Sequence, residues 1–320
     1  MTFNASSALA AVLLPVLAPG AQASCGSAFC TLLNDRFALG TWEHVGLSVD
    51  THLELVTQDR LRSGTRTLTA SDVTDDDAIE RRTRNRNLVT TVERAFDEHW
   101  SLALRVPIVQ RDHVHDLLDA ETGAVGPTQH WRFTRVGDVQ ALGRYQGAWA
   151  EQGLQWALLA GLKLPTGSRD VVNAEGERAE RALQPGTGTT DLVIGASARW
   201  LVSGSDALSV QATLTDALDR SEQFKPGGRA EESLGWSHAW SPMWSSVLQF
   251  NLAHRRRDSG AQAEPDNSGS TTVSTSPGVS VALTARDTAY LFVQRPLYQH
   301  VNGIQLVPRT SWIAGWTHTF

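Results

Sequence analysis

Apolar and polar residues alternate along most of this chain, which is the pattern of β-strands. In residues 153–164 one face carries only apolar side chains, while the other includes Gln155 and Lys163. The apolar positions are Leu154, Trp156, Leu158, Ala160, Leu162 and Leu164. Such alternation places one side of a strand in an apolar medium and the other in a polar one. The same pattern recurs in residues 99–110, 189–202 and 207–217.

The alternation predicts about twelve strands across the chain. We expect them near residues 45–57, 85–96, 99–110, 130–146, 153–164, 189–202, 207–217, 231–241, 244–255, 277–286, 289–298 and 309–320. The connections alternate between short ones and long polar ones, as in up-and-down outer-membrane barrels. The sequence therefore predicts an all-β fold, a single antiparallel transmembrane barrel over residues 45–320, with short periplasmic turns and long extracellular loops.

Composition alone would fit a soluble enzyme, since 41% of the 320 residues are hydrophobic and 19% are charged. No apolar run after the N-terminus reaches the roughly 20 residues of a membrane-spanning helix, but barrel strands need no such run. A formal net charge of −6 gives no reason to expect a nucleic-acid partner.

The N-terminal residues predict export. Residues 1–23 contain an apolar stretch and then Ala21-Gln22-Ala23, which indicate a cleaved signal peptide and the bacterial outer membrane as destination. Residues 24–44 would form a periplasmic segment. Its Cys25 and Cys30 favour a local disulfide in an exported protein. A thiolate metal pair and a lipid-modified Cys25 are the alternatives.

The inner face of the predicted barrel is rich in charge. Its candidate lumen-lining residues are Asp50, His52, Glu54, Glu93, Arg105, Arg132, Asp138, Arg144, Lys163, Asp191, Arg199 and Arg286. Unpaired charges are very costly to bury, so the mixed signs predict salt bridges across a narrow, partly hydrated interior. A polar pore and a structural filling that braces the barrel both remain open.

Tryptophans fall on the apolar phase near strand ends, which is typical of an aromatic girdle at the membrane boundary. They are Trp100, Trp131, Trp156, Trp200, Trp236, Trp240, Trp244, Trp312 and Trp316. The last strand alternates to the end of the chain through Trp312, Trp316 and Phe320. It resembles the terminal strand that outer-membrane barrels present to their assembly machinery, so these three residues are the predicted assembly signal.

Candidate chemistry is sparse, and we expect no cofactor and no enzymatic activity. His113 and His115 would share one face of an extended segment and could begin a zinc or copper site, although two histidines in a surface loop are the simpler interpretation. Ser237 and His238 are adjacent, so a strand would point them to opposite sides, and no Gly-x-Ser-x-Gly elbow exists.

Three motifs resemble a family of outer-membrane transporters that includes proteins of the meta-cleavage pathway of phenol degradation (MetA-type proteins). They are Gly137-Asp-Val with Arg144-Tyr145, Leu162-Lys-Leu-Pro-Thr-Gly167, and Gln184-x-Gly-Thr-Gly188-x-x-Asp191. The resemblance implies an outer-membrane β-barrel that passes small apolar or aromatic compounds. Within it, Cys25-Gly-Ser-Ala-Phe-Cys30 is similar to a subgroup feature.

The function hypothesis from sequence is therefore a channel or transporter for a small, apolar or aromatic molecule. The expected partners are outer-membrane lipids, the barrel assembly machinery and the solute. The alternatives are a lipid-modifying outer-membrane enzyme and a metal-binding or structural barrel that transports nothing.

Overall fold

A computed structural model describes residues 45–73, 78–118, 122 and 124–320 as an all-β chain. The predicted signal peptide, the predicted periplasmic segment 24–44 and its Cys25 and Cys30 lie outside these residues. The strands are β1 (Gly46–Gly64), β2 (Arg66–Thr67), β3 (Ala78–Ala95), β4 (Trp100–Leu118), β5 (Val125–Val136), β6 (Val139–Trp149), β7 (Leu154–Leu164), β8 (Asp191–Leu201), β9 (Asp206–Ala217), β10 (Arg229–Ala239), β11 (Trp244–Arg255), β12 (Ser270–Ala282) and β13 (Asp287–Thr319). Three short 3₁₀ turns at Ala70–Asp72, Ala150–Gln152 and Arg181–Leu183 complete the described structure.

The strands form a closed antiparallel barrel. Neighbours follow one another around the ring from β1 through β3, β4 and β6 to β13, and β13 pairs with β1 to close it. The closing register runs from Ser48 opposite Thr319 to Gly64 opposite Val301. Two strands lie off this path, since β2 pairs with β1 and β5 pairs with β4. A closed sheet leaves no edge to be satisfied in an apolar medium, which is what a membrane-spanning sheet requires.

β13 is 33 residues long because it contains two passes of the wall. Its first part pairs with β12 from Thr288 to Val301, and its second part pairs with β1 from Val301 to Thr319. The Thr319 amide donates to the Arg286 carbonyl at 2.9 Å, so the two ends lie side by side. The chain reverses near Gly303, whose φ of +50° favours glycine. The ring therefore has the twelve passes that the sequence predicts.

The largest differences from the predicted strand bounds lie at the ends joined by long connections. Three strands extend into segments predicted as loops: β1 continues to Gly64, β3 begins at Ala78, and β4 continues to Leu118. The predicted strand 130–146 is divided at Gly137-Asp138 into β5 and β6, which pair with the two halves of β4. Beyond the apolar part of a strand both faces are polar, so alternation of hydrophobicity no longer marks it although the backbone ladder continues.

The barrel has two unlike ends. The short-turn end carries the connections 96–99, 150–153, 202–205, 240–243 and 283–286. The long-loop end carries residues 65–73, the turn at Gly303, and the loops 165–190, 218–228 and 256–269. Outward tryptophans gather toward the short-turn end. They are Trp100, Trp149, Trp156, Trp200, Trp236, Trp240, Trp244, Trp312 and Trp316. The girdle thus marks one boundary of the apolar outer belt.

Trp131 is the exception, and its predicted place in the girdle is wrong. It lies near the long-loop end on the inner side of β5 and is 3% exposed. Its indole N–H donates to the Glu177 carbonyl at 3.0 Å, which satisfies the polar atom of a buried tryptophan. In the described ranges, no helix is long and apolar enough to cross a bilayer.

Leu158→Arg tests which face of the barrel is apolar. Leu158 points outward on β7, directly opposite Ala196 on β8. A cation at mid-depth of a lipid-facing surface costs about 2–4 kcal/mol, so we expect this variant and Ala196→Arg to fold into lipid vesicles poorly. Folding is measured by the shift in gel mobility between heated and unheated protein.

Gln155→Arg is the inner-face control on the same strand. Gln155 lies near the short-turn end, where its side chain accepts from Arg199 at 3.4 Å. We expect a smaller loss of folding yield there, because the inner face is polar. Equal loss in all three variants would show that the two faces are assigned wrongly.

Candidate channel interior

One half of the inner wall is a ladder of buried charges on β1, β3, β4 and β6. Asp50 accepts hydrogen bonds from the Tyr290 hydroxyl at 2.9 Å and the Thr317 hydroxyl at 2.7 Å, and lies 2.9 Å from His52 Nδ1. Glu54 lies 3.7 Å from Arg105 and accepts from the Asn87 amide at 3.0 Å. Each charge has a partner, as buried charges require.

The same ladder continues toward the short-turn end. Glu93 accepts from the Ser101 hydroxyl at 2.6 Å and lies 3.5 Å from the Arg144 guanidinium. Glu93 and Arg144 are 3% and 7% exposed. Opposite charges on facing strands therefore brace this wall from inside.

The middle of the other half of the inner wall is uncharged, while Arg229, Glu231 and Arg255 share its inward phase nearer the long-loop end. On β9 to β12, Gln211, Ser233, Asn251 and Ser274 follow one another across directly paired strands, and Gln249 lies one inward position away from Asn251. Gln249 is fully buried, and neither of its amide atoms has a hydrogen-bond partner. Gln211 Oε1, Ser233 Oγ and Asn251 Oδ1 are likewise buried without a partner. Buried polar atoms of this kind also occur on the charged half of the wall, at Glu54 Oε1, Asn87 Oδ1 and Thr91 Oγ1, so the inner face is polar all round.

The loop 165–190 folds onto the inner wall at the long-loop end. Val171 packs with the inward residues Val109 and Phe133. Leu183 is 1% exposed and packs with Ala179 and Trp131. The Arg111 guanidinium donates to the Leu183 carbonyl at 2.9 Å. The loop therefore narrows the long-loop end of the barrel along the β4–β5 wall.

An ion network around Lys163 anchors this loop. The Lys163 ammonium lies 2.7 Å from Asp138 Oδ2 and 3.3 Å from Asp191 Oδ2, and it donates to the Thr187 hydroxyl at 2.5 Å. Asp138 also accepts from the backbone amides of Gly167 at 3.0 Å and Thr187 at 2.9 Å. One buried carboxylate thus joins the end of β7 to both ends of the loop.

Glycine is needed where the loop ends meet. A Cβ built on Gly167 would lie 2.7 Å from the Gly186 Cα, and one on Gly186 would lie 2.5 Å from the Gly167 carbonyl oxygen. Both distances are shorter than real Cβ contacts. The glycines of the sequence motifs therefore permit close backbone packing, while the lysine and aspartates supply the ion network.

Gln184 fixes the fold of the loop itself. Its side chain accepts from the Val171 amide at 2.9 Å and donates to the Ala179 carbonyl at 2.8 Å, and the residue is fully buried. In the sequence, Gln184 and Thr187 are recognisable only as motif positions. The contacts of Arg111 and Arg181 with the loop could not be predicted, because these side chains donate to backbone carbonyls of Leu183 and Thr187, which carry no sequence signal.

His113 and His115 lie in β4 and not in a surface loop, so the simpler sequence interpretation of this pair is wrong. They do share one face: His113 Nε2 lies 3.4 Å from His115 Nδ1. Thr83 lies 2.8 Å from His113 Nδ1, and Gln129 lies 2.9 Å from His115 Nε2. Among the described residues no three histidine, cysteine or acidic side chains form a group that could hold a metal ion.

Most predicted lumen residues point inward, but two do not. Arg132 is on the outer side of β5, with its side chain 70% exposed and 3.9 Å from Asp112. Arg286 is exposed in the short turn that precedes β13. The prediction for Arg132 assumed one continuous strand over 130–146, but the strand breaks at Gly137-Asp138 and the inward positions of β5 differ from those expected. The prediction for Arg286 assumed a strand up to residue 286, whereas β12 ends at Ala282.

Two histidine–carboxylate pairs lie on the outer rim at the short-turn end. His238 Nδ1 is 2.8 Å from Asp206, and His318 Nδ1 is 2.7 Å from Asp287. In each, the tryptophan two residues before the histidine donates to the same carboxylate. In the described chain neither imidazole is hydrogen-bonded to a hydroxyl, which a nucleophile–base pair would require. The same arrangement occurs in two hairpins, which indicates that these hydrogen bonds stabilise the ends of the hairpins.

The comparisons with known proteins bear on the fold. No protein-family model and no curated protein matches this sequence. The COG4313 outer membrane channel from Pseudomonas putida F1 matches with a TM-score of 0.64 and 12% identity, over 90% of this chain and 100% of that one. This chain shares the closed antiparallel β-barrel fold of that outer-membrane protein. Two further structures are more distant. The TodX monoaromatic hydrocarbon channel deltaS2 mutant has a TM-score of 0.48 and 10% identity, over 88% of this chain and 92% of that one. The CymD monoaromatic hydrocarbon channel has a TM-score of 0.46 and 10% identity, over 88% of this chain and 90% of that one.

Lys163→Met tests the anchor of the loop. The change leaves the carboxylates of Asp138 and Asp191 buried without their shared cation, and removing one partner of a buried pair costs about 3–5 kcal/mol. We expect the free energy of unfolding in guanidinium chloride to fall by that amount. The control is Arg256→Met, which breaks an exposed 2.6 Å pair with Asp216 and should cost under about 1 kcal/mol. Similar losses in both variants would contradict the assigned role of Lys163.

Acid is expected to release a second tether of the loop. Arg178 donates to Glu222 Oε2 at 2.8 Å and holds the pKa of Glu222 below its ordinary value of 4.5. A depressed folded-state pKa stabilises the folded form above pH 4.5, and this contribution is lost as the pH falls through the folded-state pKa. Amide hydrogen exchange in the loop 165–190, corrected for its intrinsic pH dependence, should therefore rise at acid pH.

Glu222→Gln is the control for this titration. The variant lacks the charge at every pH, so its loop exchange should be high at neutral pH and should change less on acidification. An unchanged wild-type loop at acid pH would show that Glu222 does not hold it.

Proposed function

We propose that this protein is an outer-membrane channel for a small molecule. The observation that carries the proposal is the two-faced closed barrel, apolar outside and polar inside, with a loop anchored on its inner wall. An apolar outer belt suits lipid, and a polar interior suits a hydrated path.

The proposed solute is a small molecule with an apolar or aromatic body and a hydrogen-bonding group. Inward aromatic side chains make part of the interior apolar: Trp131 and Phe133 at the long-loop end, and Tyr290 and Phe292 beside Ile313 on the β13–β1 wall. Amides and hydroxyls on β9 to β12 make another part polar. The resemblance of the Gly137-Asp138 and Lys163 motifs to the phenol-pathway transporter family supports the same class of solute.

The proposed cellular context is the bacterial outer membrane, reached through cleavage after residue 23. Lipids would contact the outer belt. Trp312 and Trp316 point outward on the final pass, where they lie opposite Leu55 and Thr51 of β1, and the Phe320 amide donates to the Leu47 carbonyl. We propose this seam strand as the segment that the assembly machinery recognises.

The alternatives differ in what they require. A lipid-modifying enzyme needs a nucleophile within reach of a base on the outer rim, and hydrogen bonds place only carboxylates and tryptophans on His238 and His318. A metal-binding barrel would use His113 and His115. Equal zinc affinity of the wild type and the doubly substituted His113→Ala/His115→Ala protein would remove that hypothesis.

Uptake into liposomes tests the channel. We expect vesicles containing the protein to take up a phenol-sized neutral aromatic alcohol faster than protein-free vesicles, once passive diffusion is subtracted. Replacing residues 171–182 with a short glycine–serine linker removes the inward part of the loop and should raise ion conductance in planar bilayers by several-fold. Conductance is the control for an open path, because it does not depend on the solute.

Two results would contradict the proposal. The absence of both conductance and uptake in wild-type and loop-shortened protein would exclude a channel. Conductance that is the same in the two proteins would show that the loop 165–190 does not narrow the path.

A further inference from the structure

The outer surface of the barrel carries an arginine-rich patch at the long-loop end of β3 to β5. The strand register aligns the outward residues of β1, β3, β4 and β5 in rows across the sheet. Leu53, Leu88, Ile108 and Val136 form one cross-strand row, and each is exposed. This row is the last one of the apolar belt on this side of the barrel.

The next two rows are cationic. The first contains Arg86 with Gln110 and Thr134, and the second contains Arg84, Asp112 and Arg132. Arg84 and Arg86 are exposed and form no ion pair within the described ranges. Asp112 is already close to three cations, at 3.3 Å from Arg82, 3.5 Å from His130 and 3.9 Å from Arg132. The patch therefore has an excess of positive charge.

The height of the patch places it at a membrane boundary. On β3 the outward residues between Arg94 and Arg86 are Val92, Thr90 and Leu88. Eight residues of strand span about 26 Å, which becomes about 20 Å along the barrel axis at a tilt of about 40°. The apolar band of such barrels is about 25 Å tall, so Arg84, two residues beyond Arg86, lies at its edge, and Arg86 lies about 5 Å inside it, from where its long side chain reaches the headgroups.

Two arginines elsewhere at the same end of the barrel are paired. Arg256 lies 2.6 Å from Asp216, and Arg309 lies 3.1 Å from Asp59. Arg66 and Arg220 are exposed without an ion pair in the described ranges, but they lie on β2 and in a loop and do not adjoin the apolar row. Guanidinium groups bind phosphate oxygens in bidentate geometry, and successive outward residues of a strand stand about 7 Å apart.

We propose that Arg84, Arg86 and Arg132 form a binding site for the phosphate groups of a phosphorylated glycolipid in the outer leaflet. The site takes a lipid because it adjoins the apolar row of Leu88 and Ile108, which would contact acyl chains while the arginines hold the headgroup. The inference relies on the proposed outer-membrane location but not on transport of any solute.

Binding of lipid A to the folded protein in detergent tests the site. Wild-type protein should bind lipid A and should bind its dephosphorylated form far more weakly, as measured by native mass spectrometry and by the rise in unfolding temperature. A basic residue near a lipid surface contributes about a fivefold change in affinity, so Arg84→Gln/Arg86→Gln should bind roughly 25-fold more weakly. Arg94→Gln, at the other end of β3, is the matched control and should bind as the wild type does.

Three outcomes would overturn the site: equal binding of the phosphorylated and dephosphorylated lipid, an equal loss in Arg94→Gln, or competition by millimolar inorganic phosphate, which would indicate a free-anion site. If the double variant does not fold, the comparison of the two lipids on wild-type protein decides. Liposome uptake measured on the same variants should be unchanged, which separates failure of this site from failure of the channel.

Discussion

Closure of the sheet between β13 and β1 is the constraint on which the rest of the structure depends. Every pass of the wall needs a partner on both sides, because unpaired backbone groups in lipid cost several kcal/mol each. Residues Ser48 to Gly64 find their second partner only at the far end of the chain, between Val301 and Thr319. The intervening passes pair with their neighbours in sequence, so the seam is the one contact that joins the two ends of the sheet.

The closed wall buries many polar and charged side chains on its inner face. The charges on β1, β3, β4 and β6 compensate one another across strands, and those around Lys163 also fasten the loop 165–190 to the wall. The wall on β9 to β12 is lined mainly by amides and hydroxyls, and its charges lie toward the long-loop end. The interior is therefore asymmetric in charge around the ring.

The outside of the barrel is asymmetric along its axis. Tryptophans concentrate toward the short-turn end, where Asp206 and Asp287 clasp a histidine and an indole each. At the long-loop end the β3–β5 sector carries arginines.

The strand class, the twelve passes and most inward positions are predictable from the sequence, because a strand exposes its two faces with a period of two. The lengths of the connections are less predictable, since the predicted long connections 58–84, 111–129 and 299–308 are largely strand in the described residues. Tertiary pairing alone set the break of the wall at Gly137-Asp138, and hence the outward position of Arg132 and the inward position of Trp131. It also decided that His113 and His115 belong to a strand and that Arg111 holds the Leu183 carbonyl. Contacts of this kind join residues far apart in sequence to backbone carbonyls, which leave no trace in the pattern of side chains.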